Sequence, residues 1–246
     1  MGEIHYPGNM FNTIEQIIQY SSEIEQKIGY VFNQKDLLVL AFTHCSYVNE
    51  HQDVDAHNER LEFLGDSVLG LLISDFLFRS CPNSPEGDLS LNRSRLVEAS
   101  SCSEYVHKLK IEGYVLLGKG ERMNDGRGRE TILADLFEAV IGAIYLDGGL
   151  DAAKNFLFSH FTEDFANIIE APTNNWKAEL QDYLQKEHGV SPKYTLISEK
   201  GPDHSKIFEI AVFFHDQELG RGVGSSKKEA QQAAAAKAFQ TLNLQH

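Results

Sequence analysis

Three cysteines in 246 residues are too few for a disulfide scaffold. Cys45, Cys81 and Cys102 form no CxxC pair, which excludes a cysteine zinc site and makes a reducing, intracellular setting the expected one. Long apolar runs are missing too. The best, Val68 to Ser74, is stopped by Asp75, so a soluble chain is expected. The first ten residues show no basic stretch leading into an apolar one, so no secretory signal is expected, and Tyr6 stands where a myristoylation motif needs Ser or Thr. Basic charge is the last shortage. With 22 Lys and Arg against 36 Asp and Glu, the net charge is −14, which spread evenly would disfavour a nucleic-acid partner.

The charge is not spread evenly. Residues 174–246 carry 9 basic and 9 acidic side chains, and residues 1–173 carry 13 and 27, so the first part holds the whole excess. That contrast, with the helix-breaking run Ala171-Pro172-Thr173-Asn174-Asn175, marks a domain boundary. At 42% hydrophobic and 24% charged, the chain has the composition of a globular protein of two domains.

The acidic part has the periodicity of helices throughout. Apolar residues recur at helical spacing from Ile14 to Ile18, Leu37 to Ala41, Leu61 to Leu72, Val97 to Leu109, Leu133 to Leu146 and Ala152 to Ile169. Two of these segments carry acids that core packing does not require. Glu59, Glu62 and Asp66 stand at i, i+3 and i+7 on one stripe, and Asp135 and Glu138 form a second i, i+3 pair among apolar neighbours. Like charges so placed repel unless something positive sits between them. An ordinary solvated face explains either pair alone; two pairs on two apolar helices suggest a hard-cation site of oxygen ligands. Mg²⁺ or Mn²⁺ fits that donor set better than zinc. A di-iron bundle needs Glu-x-x-His, but Gly65 and Ile141 occupy the i+3 positions after Glu62 and Glu138. Gly65 and Gly142, inside these helices, would let two backbones approach closely.

The run Asn58-Glu59-Arg60-Leu61-Glu62-Phe63-Leu64-Gly65-Asp66-Ser67-Val68-Leu69 resembles the signature helix of the ribonuclease III family. Thr43-His44-Cys45-Ser46-Tyr47, Glu86-Gly87-Asp88-Leu89-Ser90 and the stretch from Ile132 to Ala143 match in order. Cys45 departs from the basic residue common there. The resemblance implies that Glu62, Asp66, Asp135 and Glu138 surround a catalytic Mg²⁺, for which Mn²⁺ can substitute. Glu138 would be the direct ligand whose loss is most damaging, and Asp66 would position the attacking water. Glu59 and Glu86 would assist along an acidic valley, and Phe63 would plug a socket on the second subunit of a homodimer. It further implies cleavage of double-stranded RNA to 5′-phosphate and 3′-hydroxyl ends, in processing of ribosomal and some messenger and transfer RNA precursors in the cytoplasm. Candidate cations to hold the duplex are Arg93, Arg95, Arg127 and Arg129.

The neutral part reads as a helix over residues 176–188, strands at 193–198, 206–214 and 218–223, and an Ala-rich helix at about 226–242. This α-β-β-β-α order resembles the double-stranded-RNA-binding domain. Lys227 and Lys228 lie in the first turn of the last helix, where the macrodipole disfavours cations, and with free amides they would make a phosphate site. The resemblance implies that Gln181 and Asp182 touch 2′-hydroxyls, that His204 enters the next minor groove, and that Ser225 and the lysines meet phosphates. Ala178 and Glu179 stand where the family is often polar or basic. The expected fold is α+β overall: an all-α endonuclease domain over 14–150, its last helix reaching about 170, a linker at 171–175, and the RNA-binding domain at 176–245. Two other classes compete. A non-catalytic RNA scaffold predicts missing metal carboxylates, and none is missing; a metal-free ribonuclease needs paired histidines, and the ten here show no such pairing.

Overall fold

Thr13 opens the first helix with a reciprocal cap: its hydroxyl accepts the Gln16 amide, and the Gln16 side chain accepts the Thr13 amide at 3.1 Å. The computed structural model describes residues 12–123, 128–171, 176–201 and 206–242, and the chain divides into two units after Ala171. In the first unit the elements are α1 (Ile14–Gln19), α2 (Ser21–Ile28), α3 (Lys35–Ala41), α4 (Cys45–Val48), α5 (Glu59–Ser80), α6 (Glu86–Val97), α7 (Ala99–Leu109), α8 (Lys119–Met123) and α9 (Arg129–Glu170). One parallel bridge, Thr43 to Leu116, is the β pairing among its described residues.

The helix read from Val97 onward begins later than expected. Glu98 is extended (ψ 156°), so α6 ends at Val97 and α7 starts at Ala99. The two segments expected from Leu133 to Ile169 are two helices in succession, both carried by the label α9 and parted by a kink at Gly149, whose backbone is not helical (φ 79°, ψ −175°). That kink folds the second half of α9 onto α7. Tyr105 stacks among Phe161, Phe137 and Phe165 with centroids 4.7, 5.2 and 5.7 Å away. Just before the kink, the Asp147 carboxylate accepts the Tyr30 hydroxyl (2.7 Å) and the amides of Asn33 (2.8 Å) and Gln34 (2.9 Å), tying the entry of α3 to α9.

The helix bearing Glu59, Glu62 and Asp66 is buried on one side only. Leu61, Val68, Leu69, Leu72 and Leu77 are buried, while Phe63, Leu71 and Phe78 are exposed by 77%, 56% and 72%. These three, at i, i+8 and i+15, form a second apolar stripe that the core does not cover.

The second unit comprises α10 (Trp176–His188), β1 (Lys193–Lys200), β2 (Ile207–Phe214), β3 (Gln217–Gly224) and α11 (Lys227–Thr241). The strands form one antiparallel sheet in the order β1-β2-β3. Leu180, Leu184, Val212, Leu219, Ala234, Ala235, Ala238 and Phe239 make its core. A Cβ on Gly222 would come within 2.2 Å of the Ala234 amide nitrogen, and one on Gly220 within 2.5 Å of the Ala234 carbonyl. Bare strand backbone therefore lies on the alanine face of α11, so the Ala run serves sheet packing.

Candidate active site

Gly65 and Gly142 decide where α5 and α9 meet. A Cβ on Gly65 would stand 1.8 Å from the carbonyl oxygen of Glu138, and one on Gly142 would stand 2.3 Å from that of Leu61. Backbone touches backbone at this crossing, which brings the flanking acids of both helices to one place. Glu59 and Glu62 sit in the first turn of α5, where the macrodipole favours negative charge.

The electrostatics show that the acids form one cluster. Burial raises the Glu138 pKa most; Asp66, Glu62 and Asp135 raise it further, to about 8. Glu62 is raised by burial, then by Asp135, Glu59 and Asp66. Asp135 is raised by burial and then Glu59. Beneath them the buried Cys102 thiol is pushed well above its ordinary range, first by burial and then by Glu138 and Asp66. None of the ion pairs among the described residues involves Glu62, Asp66, Asp135 or Glu138. Glu62, Asp135 and Glu138, each raised by burial and by neighbouring carboxylates and none with a paired cation among the described residues, suit a cation from solution. Their all-oxygen chemistry suits Mg²⁺ or Mn²⁺. Among the described residues, no three His, Cys, Asp or Glu side chains converge as a ready metal cage. Mg²⁺ does not require such a cage, since it keeps several waters and takes one or two carboxylates directly.

Asp66 is exposed, and Glu62, Asp135 and Glu138 are half-buried. Glu59 is exposed; its carboxylate lies 3.7 Å from His57 Nδ1, and burial first and then the Glu59 carboxylate push the Cys45 thiol up. Glu86 is exposed on α6, accepts the Ser90 hydroxyl at 2.7 Å, and borders a cavity of about 250 Å³ with Ser74, Phe78, Leu89 and Arg93. Phe63 lies one residue beyond Glu62 on the exposed stripe. Of the candidate cations, Arg93 donates to the Ser74 hydroxyl (3.2 Å) and Arg95 to the Ala171 carbonyl (3.4 Å). Arg129 begins α9, and Arg127 lies outside the described residues.

In the second unit Gln181 and Asp182 are exposed side by side on α10, and Lys227 and Lys228 are exposed at the start of α11. Lys227 Nζ stands 5.8 Å from the Phe208 ring centroid. His204 lies outside the described residues. The expected free amides are corrected at two places: the Glu229 amide donates to the Ser226 hydroxyl (3.2 Å), and the Ser225 amide and hydroxyl both donate to the Glu229 carboxylate (2.7 and 2.6 Å). Sequence reasoning also passed over Asn58. Its amide donates to the Thr43 carbonyl at 2.9 Å, its side chain is buried, and its Oδ1 has no partner. The stripe partners Leu71 and Phe78 were missed as well; only their exposure sets them apart from the core stripe of the same helix.

Residues 34–165 match the family model described as "Ribonuclease-III-like", and residues 176–242 match "Double-stranded RNA binding motif". A relative from Protochlamydia amoebophila named "Ribonuclease 3" is 62% identical over 95% of this chain and 96% of its own length. One of the same name from Streptococcus thermophilus is 45% identical over 91% and 98%. Among solved structures, the nuclease domain of a Campylobacter jejuni ribonuclease III is 37% identical with a TM-score of 0.54, covering 58% of this chain and 97% of that one. No helix among the described residues is long and apolar enough to cross a membrane. With both family models matched in order and relatives aligned across nearly its whole length, the chain belongs to the ribonuclease III family of double-stranded-RNA endoribonucleases.

Proposed function

We propose that this chain hydrolyses duplex RNA at the carboxylate cluster of the α5–α9 crossing, with Glu62, Asp66, Asp135 and Glu138 holding Mg²⁺, or Mn²⁺ in its place. The observation that carries this reading is Glu138, half-buried and raised to about 8 by burial and three neighbouring carboxylates. A bound divalent ion supplies a water deprotonated near neutral pH and a counter-charge for the leaving oxygen. Glu138, the most buried by its surroundings, is the direct ligand, and the exposed Asp66 carboxylate orients the attacking water. Glu59 and Glu86 extend the acidic valley toward the duplex. Because bare carboxylates repel phosphate, the RNA is held by cations elsewhere: Lys227 and Lys228, with Gln181, Asp182 and His204 reading the minor grooves.

The working form is a homodimer. The exposed stripe Phe63, Leu71 and Phe78 is the surface a second copy covers, with Phe63 as its plug. Two sites so paired cut both strands, leaving 5′-phosphate and 3′-hydroxyl ends with a short 3′ overhang. The cellular work is maturation of ribosomal RNA precursors and of some messenger and transfer RNA precursors in the cytoplasm.

The test is incubation of the purified chain with a long RNA duplex, in Mg²⁺ and in chelator, followed by analysis of product ends. Cutting to 5′-phosphate ends in Mg²⁺ alone is expected. Cyclic-phosphate ends, or cutting in chelator, would refute the metal reading. Tight binding with no cutting in either Mg²⁺ or Mn²⁺ would make the chain a scaffold.

A further inference from the structure

Glu229 holds a position that helix capping does not require. In an ordinary capping box, the third residue of the helix returns its carboxylate to the amide of the cap residue itself. Ser226 is the cap of α11, and its hydroxyl accepts the Glu229 amide at 3.2 Å. The Glu229 carboxylate reaches past Ser226 to the residue before it. A single oxygen, Oε2, accepts both the Ser225 amide (2.7 Å) and the Ser225 hydroxyl (2.6 Å). Two short bonds to one anionic oxygen are what a non-bridging phosphate oxygen accepts from a serine in a turn. Ser225, Lys227 and Lys228 are all exposed, and the lysines follow it directly.

We propose that the Glu229 carboxylate is an internal stand-in for an RNA phosphate, occupying the Ser225 donors in the free protein and weakening duplex binding because RNA must displace it. This rests on reading Ser225, Lys227 and Lys228 as the phosphate contact of the RNA-binding unit. The ligand class is drawn from the double-stranded-RNA-binding match over residues 176–242, independently of the helix end. The Ser225 hydroxyl first and its amide second, with a smaller contribution from the Ser226 amide, hold the Glu229 carboxyl below its ordinary range, so it stays charged at neutral pH. A phosphodiester therefore meets one negative charge beside two positive ones, and gains the Ser225 donors only as the carboxylate withdraws. The consequence is a contact that releases RNA more readily than its lysines alone would.

Equilibrium binding of the full chain to an RNA duplex of about 16 base pairs, one RNA-binding module's span, tests this in chelator. Glu229→Gln, which removes the charge and keeps the side chain's length, should bind about two- to fivefold tighter, the scale of one exposed helix-terminus charge. Glu229→Ala should move in the same direction, and alanine secures the helix if the amide does not. A purely structural role for Glu229 predicts the opposite sign, because losing its bonds would loosen the turn. Equal or weaker binding by both variants overturns the proposal. The combined Lys227→Ala and Lys228→Ala change separates the two levels of the argument. It should weaken binding and lower the slope of log affinity against log salt by about two. Wild-type affinity and slope in that double variant would overturn the phosphate reading, and the proposal with it.

Discussion

Glu138→Gln should lower the rate of duplex cleavage by at least about 10³-fold, more than the loss of one electrostatic contact to a transition state typically costs. Binding of the duplex in chelator should stay within about twofold of wild type, because the substitution removes a negative charge and leaves the α10 and α11 contacts untouched. The amide is close to the carboxylate in size, so the α5–α9 packing is preserved. Single-turnover cleavage together with a binding isotherm separates the two effects. A variant that cuts at a tenth of the wild-type rate would remove Glu138 from the metal site. One that loses binding as well would mean the site and the RNA contact are not separate.

Gly65→Ala is the second large effect, and it acts through geometry rather than charge. Alanine is the better helix former by about 1 kcal/mol, which alone would stabilise α5. The added methyl, however, meets the Glu138 carbonyl at 1.8 Å, well inside any tolerated contact and against backbone that cannot rotate away. The clash wins. Overpacking of this kind costs about 1–3 kcal/mol and sometimes more, so the melting midpoint should fall by about 6–12 °C at the upper end. Cleavage should fall by about 10²-fold or more, since parting the helices moves Glu62 and Asp66 away from Glu138. Gly120→Ala on α8 is the control, for a methyl there meets nothing within 4 Å. Thermal denaturation and cleavage rates of both variants decide it. A Gly65→Ala chain as stable and active as the Gly120→Ala chain would contradict the crossing as the device that assembles the site.

Some of this was legible in the residue order alone. The Glu59, Glu62, Asp66 stripe and the Asp135, Glu138 pair declared themselves because helical acids among apolar neighbours are costly unless used. Gly65 and Gly142 hinted at close helices for the same reason, since glycine weakens a helix without a packing cause. That the glycines face each other, and so bring both acidic pairs to one place, is a tertiary fact that no local spacing contains. Likewise, α10 was legible over residues 176–188 through Trp176, Leu180, Tyr183 and Leu184, and α11 lost one residue at each end, to the Ser226 and Leu242 caps.

Three features escaped for physical reasons. The outward stripe of Phe63, Leu71 and Phe78 has the same residue types as the core stripe, so apolar periodicity cannot tell which face the protein covers. The break at Glu98 sits in good helix-forming sequence. It is held by the Ser101 hydroxyl bonding back to the Arg95 carbonyl at 2.7 Å, across the break. The engagement of Ser225 by Glu229 was hidden because the spacing also fits an ordinary capping box, with the amide one residue later as the partner.

The central claim is that Glu138 and its neighbours form a cluster that needs a cation. Its most direct test is the melting midpoint in chelator and in Mg²⁺ across pH. Folding raises the Glu138 pKa from 4.5 to about 8, so the protonated form is favoured in the folded chain. Its stabilising contribution is complete below the ordinary glutamate range and is lost as pH rises toward 8; Glu62 and Asp135 act in the same direction. In chelator the midpoint should therefore fall as pH is raised through that window. Mg²⁺ should restore it most at the alkaline end, and Glu138→Gln should show a flatter profile with a smaller response to Mg²⁺. A wild-type midpoint that is flat across the window in chelator, or a Mg²⁺ response unchanged by Glu138→Gln, would contradict the account.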